Sequence, residues 1–432
     1  MIKRYSTDLS KIWSEESKVE RWLEIEAVVA EVEETLGIVP RGTSRGLRRL
    51  EIDPDRIAEI EKDIGHDIIA FLLAIKEKIG KRADYIHYGL TSYDLVDTGL
   101  SLTLKEVGLV IKEELNRFIK VLKEQIRRYK KLPIMGRTHG VFAEPTLLGL
   151  KFLSWLKETE RNRTRLGFAI DQISYGKISG AVGTYSQLPP RVEKMVMKRL
   201  GLKPEPVSTQ VIPRDRHAFF LSTLALISAG LERIALEIRL LSRSEVGELQ
   251  EPFGRRQRGS SSMPHKQNPI LCERICGLAR VIRGNLTAAI ENISLWHERD
   301  ISNSSVERII LPDSTILCHY LLQIMIKVIK GIRVNEERIA ENIRKACGIY
   351  FSQKILLKLV TKGVDKDWVY KKIQQLSFKA VGKGKDLREI VENDREITKI
   401  LTKRELTAIF SFRTLLKNTD QIYKRALNPS SE

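Results

Sequence analysis

Apolar side chains recur every three or four residues over several long stretches of the chain. In residues 104–131, Val107, Ile111, Leu115 and Phe118 begin one continuous apolar stripe. This spacing places the apolar positions on one face of a helix. Alternation with a period of two is almost absent, so we expect no large sheet. The helical pattern predicts further long helices over residues 146–174, 216–247, 270–293 and 305–334.

Clusters of glycine, proline and polar residues divide this helical pattern into three parts. Residues 37–54 separate two short helical stretches near the N terminus, and residues 87–99 precede the first long helix. Another boundary falls near residues 346–350, beyond which the helices shorten. We therefore predict an all-α protein with three helical domains and a central long-helix bundle. Its parts are an N-terminal helical domain over residues 1–95, the central bundle domain over residues 96–345 and a C-terminal helical domain over residues 346–432.

The composition is that of a folded protein. Of the 432 residues, 42% are hydrophobic and 30% are charged, which excludes wholesale disorder and a collagen-like fold. No uninterrupted apolar run reaches the ~18–20 residues that span a bilayer, and the first residues lack the apolar core of a signal peptide. We expect a cytoplasmic protein without membrane contact. The cysteines lack Cys-x-x-Cys spacing and are interpreted as reduced core residues; they are Cys272, Cys276, Cys318 and Cys347.

The chain is strongly basic, with a formal net charge of +19. The excess is spread widely, because the net charge is −5 over residues 1–100, +16 over residues 101–345 and +8 over residues 346–432. No run of five or six like charges occurs, and no zinc-finger, RNP or basic-zipper pattern is present. This distribution favours an anionic small molecule over nucleic acid as the partner. A basic helical scaffold that binds nucleic acid stays open as an alternative from a different class.

Four polar segments interrupt the helical stripes, and the most informative is GSSSMPHKQNP at residues 259–269. Its hydroxyls, its backbone N–H groups and the ammonium group of Lys266 could bind a carboxylate or a developing oxyanion. Pro269 suits the first turn of a following helix. A serine-rich surface loop with a helix cap is the alternative interpretation.

The second polar segment is GRTHGVFAEP at residues 136–145. His139 lies there among small residues, with no Cys or Asp at metal-site spacing. A neutral imidazole that a carboxylate orients can exchange a proton near neutral pH. Glu273 could be that carboxylate if the two helices concerned are adjacent. An ordinary core or surface histidine is the alternative.

The third segment, HYGLTSYDLVD, begins at His87 and offers the hydroxyls of Thr91 and Ser92. Asp94 and Asp97 are expected to act as helix-starting acids. A Gly-His-Asp stretch at residues 65–67 is expected to lie within a helix. A helix cap and a solvated histidine are the alternative interpretations of both stretches.

The fourth segment is WHERDISNSSVER at residues 296–308. If Ser304 caps a helix, its hydroxyl and the guanidinium group of Arg308 can converge on one anion. Arg299 adds a second planar donor suited to phosphate or carboxylate. The alternative is a solvated salt-bridge cluster with the neighbouring acids Glu298, Asp300 and Glu307.

Together, in this order and on this helical background, the segments resemble the fumarase/aspartase superfamily. Its signature loop is Gly-Ser-Ser-x-Met-Pro-x-Lys-x-Asn-Pro, which residues 259–269 match at every fixed position. The stretches KRYS, HYGLTSYDLVDT, GRTHGVFAEPT and WHERDISNSSVER extend the resemblance over residues 3–308 and are similar to those of the adenylosuccinate lyases. Argininosuccinate lyases usually carry Gln, and fumarases Gly, where this chain has His265.

The resemblance implies an all-helical homotetramer in which three chains build each active site. It implies elimination of fumarate from adenylosuccinate, and from the succinylated aminoimidazole carboxamide ribotide of purine synthesis, with no metal or organic cofactor. Such a cleavage needs a base, an acid and an anion-binding group. The resemblance assigns Ser260 as the base and His139 as the acid, which Glu273 orients. Another fumarate-releasing lyase, such as argininosuccinate lyase, stays open.

A serine is a demanding base at neutral pH. We expect Lys266, nearby backbone N–H groups and closure of the loop at residues 247–259 over the substrate to lower that cost.

The remaining site residues follow from motif position. The succinyl carboxylates would be held by Ser261, Lys266, Asn268, Thr91 and Ser92, with Gln210 as a further substrate contact. The nucleotide end, mainly its phosphate, would be held by Arg4, Tyr5, Arg274, Arg299, Ser304 and Arg308. His66 and Asp67 match the family's His-Asp pair, with His66 near the reacting groups, and His87 opens the neighbouring motif. Relatives usually carry Arg or Lys before this pair, whereas this chain has Gly65.

Overall fold

The computed structural model describes residues 2–254 and 256–427, and α-helices dominate them. The N-terminal helices are α1 (Glu15–Leu36), α2 (Pro54–Ile64) and α3 (Asp67–Ile79). Next come α4 (Ser92–Tyr129), α5 (Leu148–Ile173), α6 (Pro190–Leu200), α7 (Asp215–Leu241), α8 (Ile270–Glu291) and α9 (Ser302–Lys330). The C-terminal helices are α10 (Glu336–Lys345), α11 (Ser352–Thr361), α12 (Lys366–Lys383), α13 (Leu387–Glu392), α14 (Arg395–Thr398), α15 (Lys403–Ile409), α16 (Phe412–Leu415) and α17 (Thr419–Leu427).

The long helices predicted from the apolar pattern are all present, which confirms the all-α class. Helix α4 starts earlier than expected, at Ser92, inside the polar segment that was predicted to precede it. The reason is local, because the carboxylate of Asp94 accepts a hydrogen bond of 2.9 Å from the backbone N–H of Thr91. This contact satisfies a donor at the helix start and lets the helix begin there.

Strands in the described residues form only two-stranded sheets. Strands β1 (Pro133–Thr138) and β2 (Val141–Leu147) form an antiparallel hairpin where the sequence predicted only a polar connection. The other two sheets are very short. They pair β3 (Tyr175–Gly176) in parallel with β4 (Lys203–Pro204), and β5 (Leu249–Gln250) antiparallel with β6 (Arg333–Val334).

The described residues form two compact units, each assembled from three stretches of chain. Unit 1 contains residues 2–117, 159–232 and 274–325, and unit 2 contains residues 118–158, 233–273 and 326–427. Long helices such as α4 and α9 contribute residues to both units. The three-domain division stays a prediction.

Each unit has its own hydrophobic core. In unit 1, α1, α3 and α6 contribute to a cluster in which Trp22 meets Phe71 edge-on, with ring centroids 5.4 Å apart. In unit 2, the C-terminal helices bury Ile355, Ile373 and Val391 among other apolar side chains. The short C-terminal helices are therefore held by a shared core, since helices of this length are marginal alone.

Helices α7 and α9 are apolar enough to cross a membrane by length and composition alone. The protein buries 61% of the apolar segment of α7 and 67% of that of α9, as in the core helices of a soluble protein. The four cysteines, all within the described residues, form no disulfide bond, and Cys272, Cys276 and Cys318 are buried as expected. Cys347 is half-buried, so its assignment to the core was wrong. It lies in the turn after α10, with a φ of 50°.

We expect Phe71→Ala to destabilise the protein by about 3–5 kcal/mol, because it removes a fully buried ring and leaves a cavity. The measurement is the shift of the unfolding midpoint in guanidinium chloride. Phe378→Ala is the control, since that side chain is 70% exposed on α12, and it should shift the midpoint little. Equal shifts for the two variants would contradict the core described for unit 1.

Candidate active site

A cleft of about 420 Å³ in unit 1 gathers many of the predicted residues. It lies between the start of α3, the start of α4, the segment that precedes α7 and the start of α9. Its lining includes eight residues that the sequence assigned to the site: His66, Asp67, Thr91, Ser92, Gln210, Arg299, Ser304 and Arg308.

Residues 65–67 span the junction of two helices, which corrects the expectation that they lie within one: Gly65 follows α2, His66 precedes α3 and Asp67 is the first residue of α3. Gly65 ends α2 with a φ of 70°, a left-handed conformation that favours glycine. His66 is the N-cap of α3, and its Nδ1 accepts a bond of 3.4 Å from the backbone N–H of Ile69. Asp67 accepts a bond of 3.0 Å from Arg308. The helix junction therefore gives a physical reason for glycine at position 65.

The start of α4 brings hydroxyls and backbone N–H groups to the cleft. Thr91 and Ser92 line it, and the N terminus of a long helix carries a partial positive charge. Asp94 does not line the cleft, and its buried carboxylate forms an ion pair with the ammonium group of Lys177. The same carboxylate accepts the backbone N–H of Ser179 at 3.1 Å. Asp94 thus ties the α4 start to the chain that follows α5.

Arg299 is held from two sides. Its guanidinium group lies over the ring of Tyr93, 3.5 Å from the centroid, and its Nη1 donates to the Gln210 side chain at 2.9 Å. Its Nε is buried without a partner in the described residues. Ser304 lies in the first turn of α9, which starts at Ser302, so Ser304 does not cap this helix. Asp300 accepts the backbone N–H of Ser302 at 2.8 Å in that role.

His87 is oriented by a residue that the sequence did not point to. The buried carboxylate of Glu26 accepts the backbone N–H of His87 at 3.0 Å and lies 2.6 Å from its Nδ1. Burial lowers the pKa of His87, but the charge and hydrogen bond of Glu26 outweigh it, so the net pKa is raised. His87 has a φ of 62°, an unusual conformation for a residue with a side chain.

Two residues predicted for the nucleotide end meet elsewhere in unit 1. The ring of Tyr5 packs against Tyr320 with centroids 5.4 Å apart, and Arg274 donates to the Tyr320 hydroxyl at 2.9 Å. Arg4 is exposed beside Tyr5. Tyr320 follows Arg308 by twelve residues of α9, which is about 18 Å along the helix axis. This cluster is therefore separate from the cleft.

In unit 2, the β1–β2 hairpin presents His139 at its turn. His139 and Gly140 both have positive φ values, 54° and 79°, as in the tight turns that join paired strands. Behind the turn, Arg137 forms two hydrogen bonds of 2.7 and 2.9 Å with the buried carboxylate of Glu248. The hairpin is thus anchored while the imidazole stays exposed. Within the described residues of this chain, no hydrogen bond joins His139 to Glu273.

The loop at residues 259–269, also in unit 2, is organised around Ser260. Its Oγ accepts the backbone N–H groups of Met263 at 3.1 Å and Ser262 at 3.4 Å. Asn268 braces the loop by donating to the carbonyl of Gly259 at 3.0 Å. Ser261 and Lys266 are exposed to solvent. The turn therefore directs two donors at the hydroxyl oxygen, an arrangement that stabilises negative charge there.

The start of α8 is hydrogen-bonded by a residue that the sequence did not suggest, Glu251. The buried carboxylate of Glu251 accepts the backbone N–H groups of Leu271 at 3.1 Å and Cys272 at 3.0 Å. These two donors are therefore not free for a substrate. The predicted closure of residues 247–259 includes Arg255, which lies outside the described residues, and closure stays a prediction. No local signal could have revealed Glu251, because its partners are about twenty residues away.

Comparisons with known proteins decide the family. The family model described as "Lyase" matches residues 3–284, and "Adenylosuccinate lyase C-terminus" matches residues 348–426. Curated adenylosuccinate lyases from Thermotoga maritima, Aquifex aeolicus and Bacillus subtilis are 49, 46 and 44% identical to this chain. Each match covers 98% of this chain and 98–99% of the relative. The chain belongs to the adenylosuccinate lyase family. It is therefore an enzyme, a carbon–nitrogen lyase.

Solved structures agree with the fold of this family. A fumarate lyase from Mesorhizobium sp. BNC1 superposes with a TM-score of 0.89 at 23% identity, over 99% of both chains. The 3-carboxy-cis,cis-muconate lactonizing enzyme from Pseudomonas putida has a TM-score of 0.87 at 24% identity, over 98% of this chain and 96% of that one. At this identity the likeness concerns the fold alone.

We expect Gly259→Ala to lower turnover by about a hundredfold, because misplacing a catalytic loop by an ångström has effects of this size. A Cβ at this position would lie 1.8 Å from the carbonyl oxygen of Lys266, so the loop must move. Gly254→Ala is the matched control, since its Cβ would have no neighbour closer than 3.8 Å. Steady-state kinetics of both variants test this, and equal activities would contradict the loop geometry.

A second expectation concerns Glu33, one helical heptad after Glu26 on α1. Burial, together with the nearby Glu26 carboxylate, raises the pKa of Glu33 to about 8. A carboxyl group with a higher pKa in the folded state takes up a proton on folding. Stability should therefore fall as the pH rises from about 4.5 to about 8. Glu33→Gln should remove this loss, whereas the exposed control Glu20→Gln should retain it. Thermal unfolding across this pH range is the measurement.

Proposed function

We propose that the protein cleaves adenylosuccinate into AMP and fumarate. We propose the same elimination for the succinylated aminoimidazole carboxamide ribotide of purine synthesis, with no metal or organic cofactor and in the cytoplasm. The observation that carries this proposal is the cleft of unit 1. There Arg299, Arg308 and the N terminus of α4 present positive groups to one space, as a substrate with a phosphate and two carboxylates requires.

The elimination requires two proton transfers, which the family resemblance assigns to Ser260 and His139. As an alkoxide, Ser260 takes a proton from the succinyl carbon next to a carboxylate, and the electron pair delocalises into that carboxylate. That carboxylate group then carries two negative charges. When this dianion collapses, the double bond of fumarate forms and the C–N bond breaks. The nitrogen keeps the bonding electron pair and receives a proton from His139.

Geometry in unit 2 supports these two roles. The backbone donors on the Ser260 Oγ stabilise the alkoxide relative to the hydroxyl, because they favour the charged oxygen. The exposed ammonium group of Lys266 adds a mobile positive charge on the same loop. The anchored turn holds the His139 backbone while leaving its ring free to meet a substrate. Glu273 would orient that ring from another chain of the assembly.

Exposed apolar side chains support the proposed homotetramer with shared sites. On α5 and α7 of unit 1, Phe168 and Phe219 stack edge-on with centroids 5.6 Å apart while both remain exposed. On α8, Val281 and Ile290 are also exposed. Such apolar faces on long helices are typical of subunit interfaces.

Purified protein should release fumarate and AMP from adenylosuccinate without added metal. Ser260→Ala and His139→Ala should each lower kcat by about a hundredfold or more, because each removes a proton-transfer group. Ser262→Ala is the control, since only its backbone N–H contacts Ser260. Release of fumarate from argininosuccinate, with none from adenylosuccinate, would contradict the proposed substrate.

Site sharing has its own test. Mixing Ser260→Ala and His139→Ala proteins under conditions that exchange subunits should restore part of the activity, because some sites then combine an intact serine with an intact histidine. Mixing each variant with itself is the control. If exchange is verified by mass and no activity returns, the two residues act from the same chain.

A further inference from the structure

A buried cation lies behind the cleft of unit 1 and is not among its lining residues. Arg214, just before α7, is only 3% exposed. Its Nη1 and Nη2 donate to both oxygens of Asp97 at 2.8 and 2.7 Å. Its Nε donates to Glu307 at 2.9 Å, and its Nη2 reaches the other oxygen of Glu307 at 3.3 Å. One guanidinium group thus holds two buried carboxylates.

Each member of this cluster stands close in sequence to residues that line the cleft. Asp97 lies on α4, five residues after Ser92. Glu307 lies on α9, directly before Arg308. Arg214 follows Gln210 by four residues, and the backbone N–H of Ile212 in this same segment donates to Asp97 at 2.7 Å. The cluster therefore joins three separate stretches of the cleft wall.

The contacts are strong enough to set the distances between these stretches. Paired, planar hydrogen bonds between guanidinium and carboxylate groups fix orientation as well as distance. Burial raises the pKa of Asp97, but its contacts with Arg214 outweigh this, so the net pKa is lowered. Burial raises the pKa of Glu307. Losing one partner would leave a buried charge without compensation, which is strongly unfavourable.

We propose that Asp97, Arg214 and Glu307 act as positioning residues that hold the starts of α4 and α9 and the Gln210 segment at the spacing the substrate requires. This rests on the proposed role of the cleft in binding the substrate. None of the three touches the reacting atoms in the proposed mechanism, which assigns the proton transfers to Ser260 and His139. Their effect passes through Ser92, Gln210 and Arg308.

This role has a distinct kinetic signature. A shift of the cleft wall weakens contacts that substrate and transition state share, which raises KM and leaves kcat nearly unchanged. A purely structural role would instead lower stability and the amount of active enzyme without changing KM. AMP, the product with the nucleotide phosphate, should lose affinity in parallel with the rise in KM.

The test compares Glu307→Gln with Glu205→Gln in the intact enzyme. Both carboxyls are buried, both have a pKa raised by burial, and each pairs with an arginine at the start of the same helix. Glu205 pairs with Arg216 and does not line the cleft. We expect Glu307→Gln to raise KM for adenylosuccinate about tenfold with kcat within about threefold, and Glu205→Gln to leave both within about twofold. An unchanged KM in folded Glu307→Gln protein would overturn the proposal.

If Glu307→Gln does not fold, a milder variant tests the same proposal. Asn303 donates to Glu307 at 3.2 Å, so Asn303→Ala loosens the cluster without removing a charge. It should raise KM about threefold, and an unchanged KM would overturn the proposal.

Calorimetry with AMP tests the proposed function and the positioning role separately. Wild-type protein that binds AMP but does not cleave adenylosuccinate contradicts the function, while equal AMP affinity in Glu307→Gln and wild type contradicts the positioning role.

Discussion

Burying a guanidinium group is costly unless its charge is paired and its N–H groups are hydrogen-bonded, and the cleft of unit 1 rests on one group that meets this requirement. Arg214 satisfies it with Asp97 and Glu307, which belong to two different helices. The ion pair of Lys177 with Asp94 adds a second fixed contact at the start of α4. Asp97 and Glu307 lie within the first two turns of α4 and α9, and the N-terminal residues of both helices line the same cleft. An anion site made of helix starts depends on such fixed points, since helix termini otherwise fray.

The helices could be predicted from the sequence because their signal is local. An apolar residue every three or four positions defines one face, and this alone predicted α4, α5, α7, α8 and α9. The length of α1 was underestimated, because its 22 residues were expected to form only a short helical stretch. The β1–β2 hairpin was missed, because its strands are short and its turn depends on positive φ values at His139 and Gly140. Contacts between residues far apart in sequence leave no such pattern. Nothing near Asp97 in the sequence reveals that Arg214, more than a hundred positions later, neutralises it.

The residues of the site likewise divide into those with a local sequence signal and those without one. Those within motifs, such as His66, Ser92 and Arg308, were identified by the resemblance and then found along one cleft. Those that orient them are single residues without a motif. Glu26 holds His87, and Glu251 occupies the start of α8. The one hint is that Glu26 is an acid on a buried helical face, where an acid is unfavourable unless it has a partner.

The residues assigned to the nucleotide end fall into two groups that lie far apart along α9. Arg308 lines the cleft, while Tyr5 and Arg274 meet at Tyr320, about 18 Å further along the same helix. One phosphate group accepts hydrogen bonds only from donors about 3 Å away. In a single chain, the two sets could therefore meet at one phosphate only if their side chains closed an axial separation of about 18 Å. In the homotetramer that the family resemblance implies, a neighbouring subunit would supply one of the two sets, and the separation would then need no such reach.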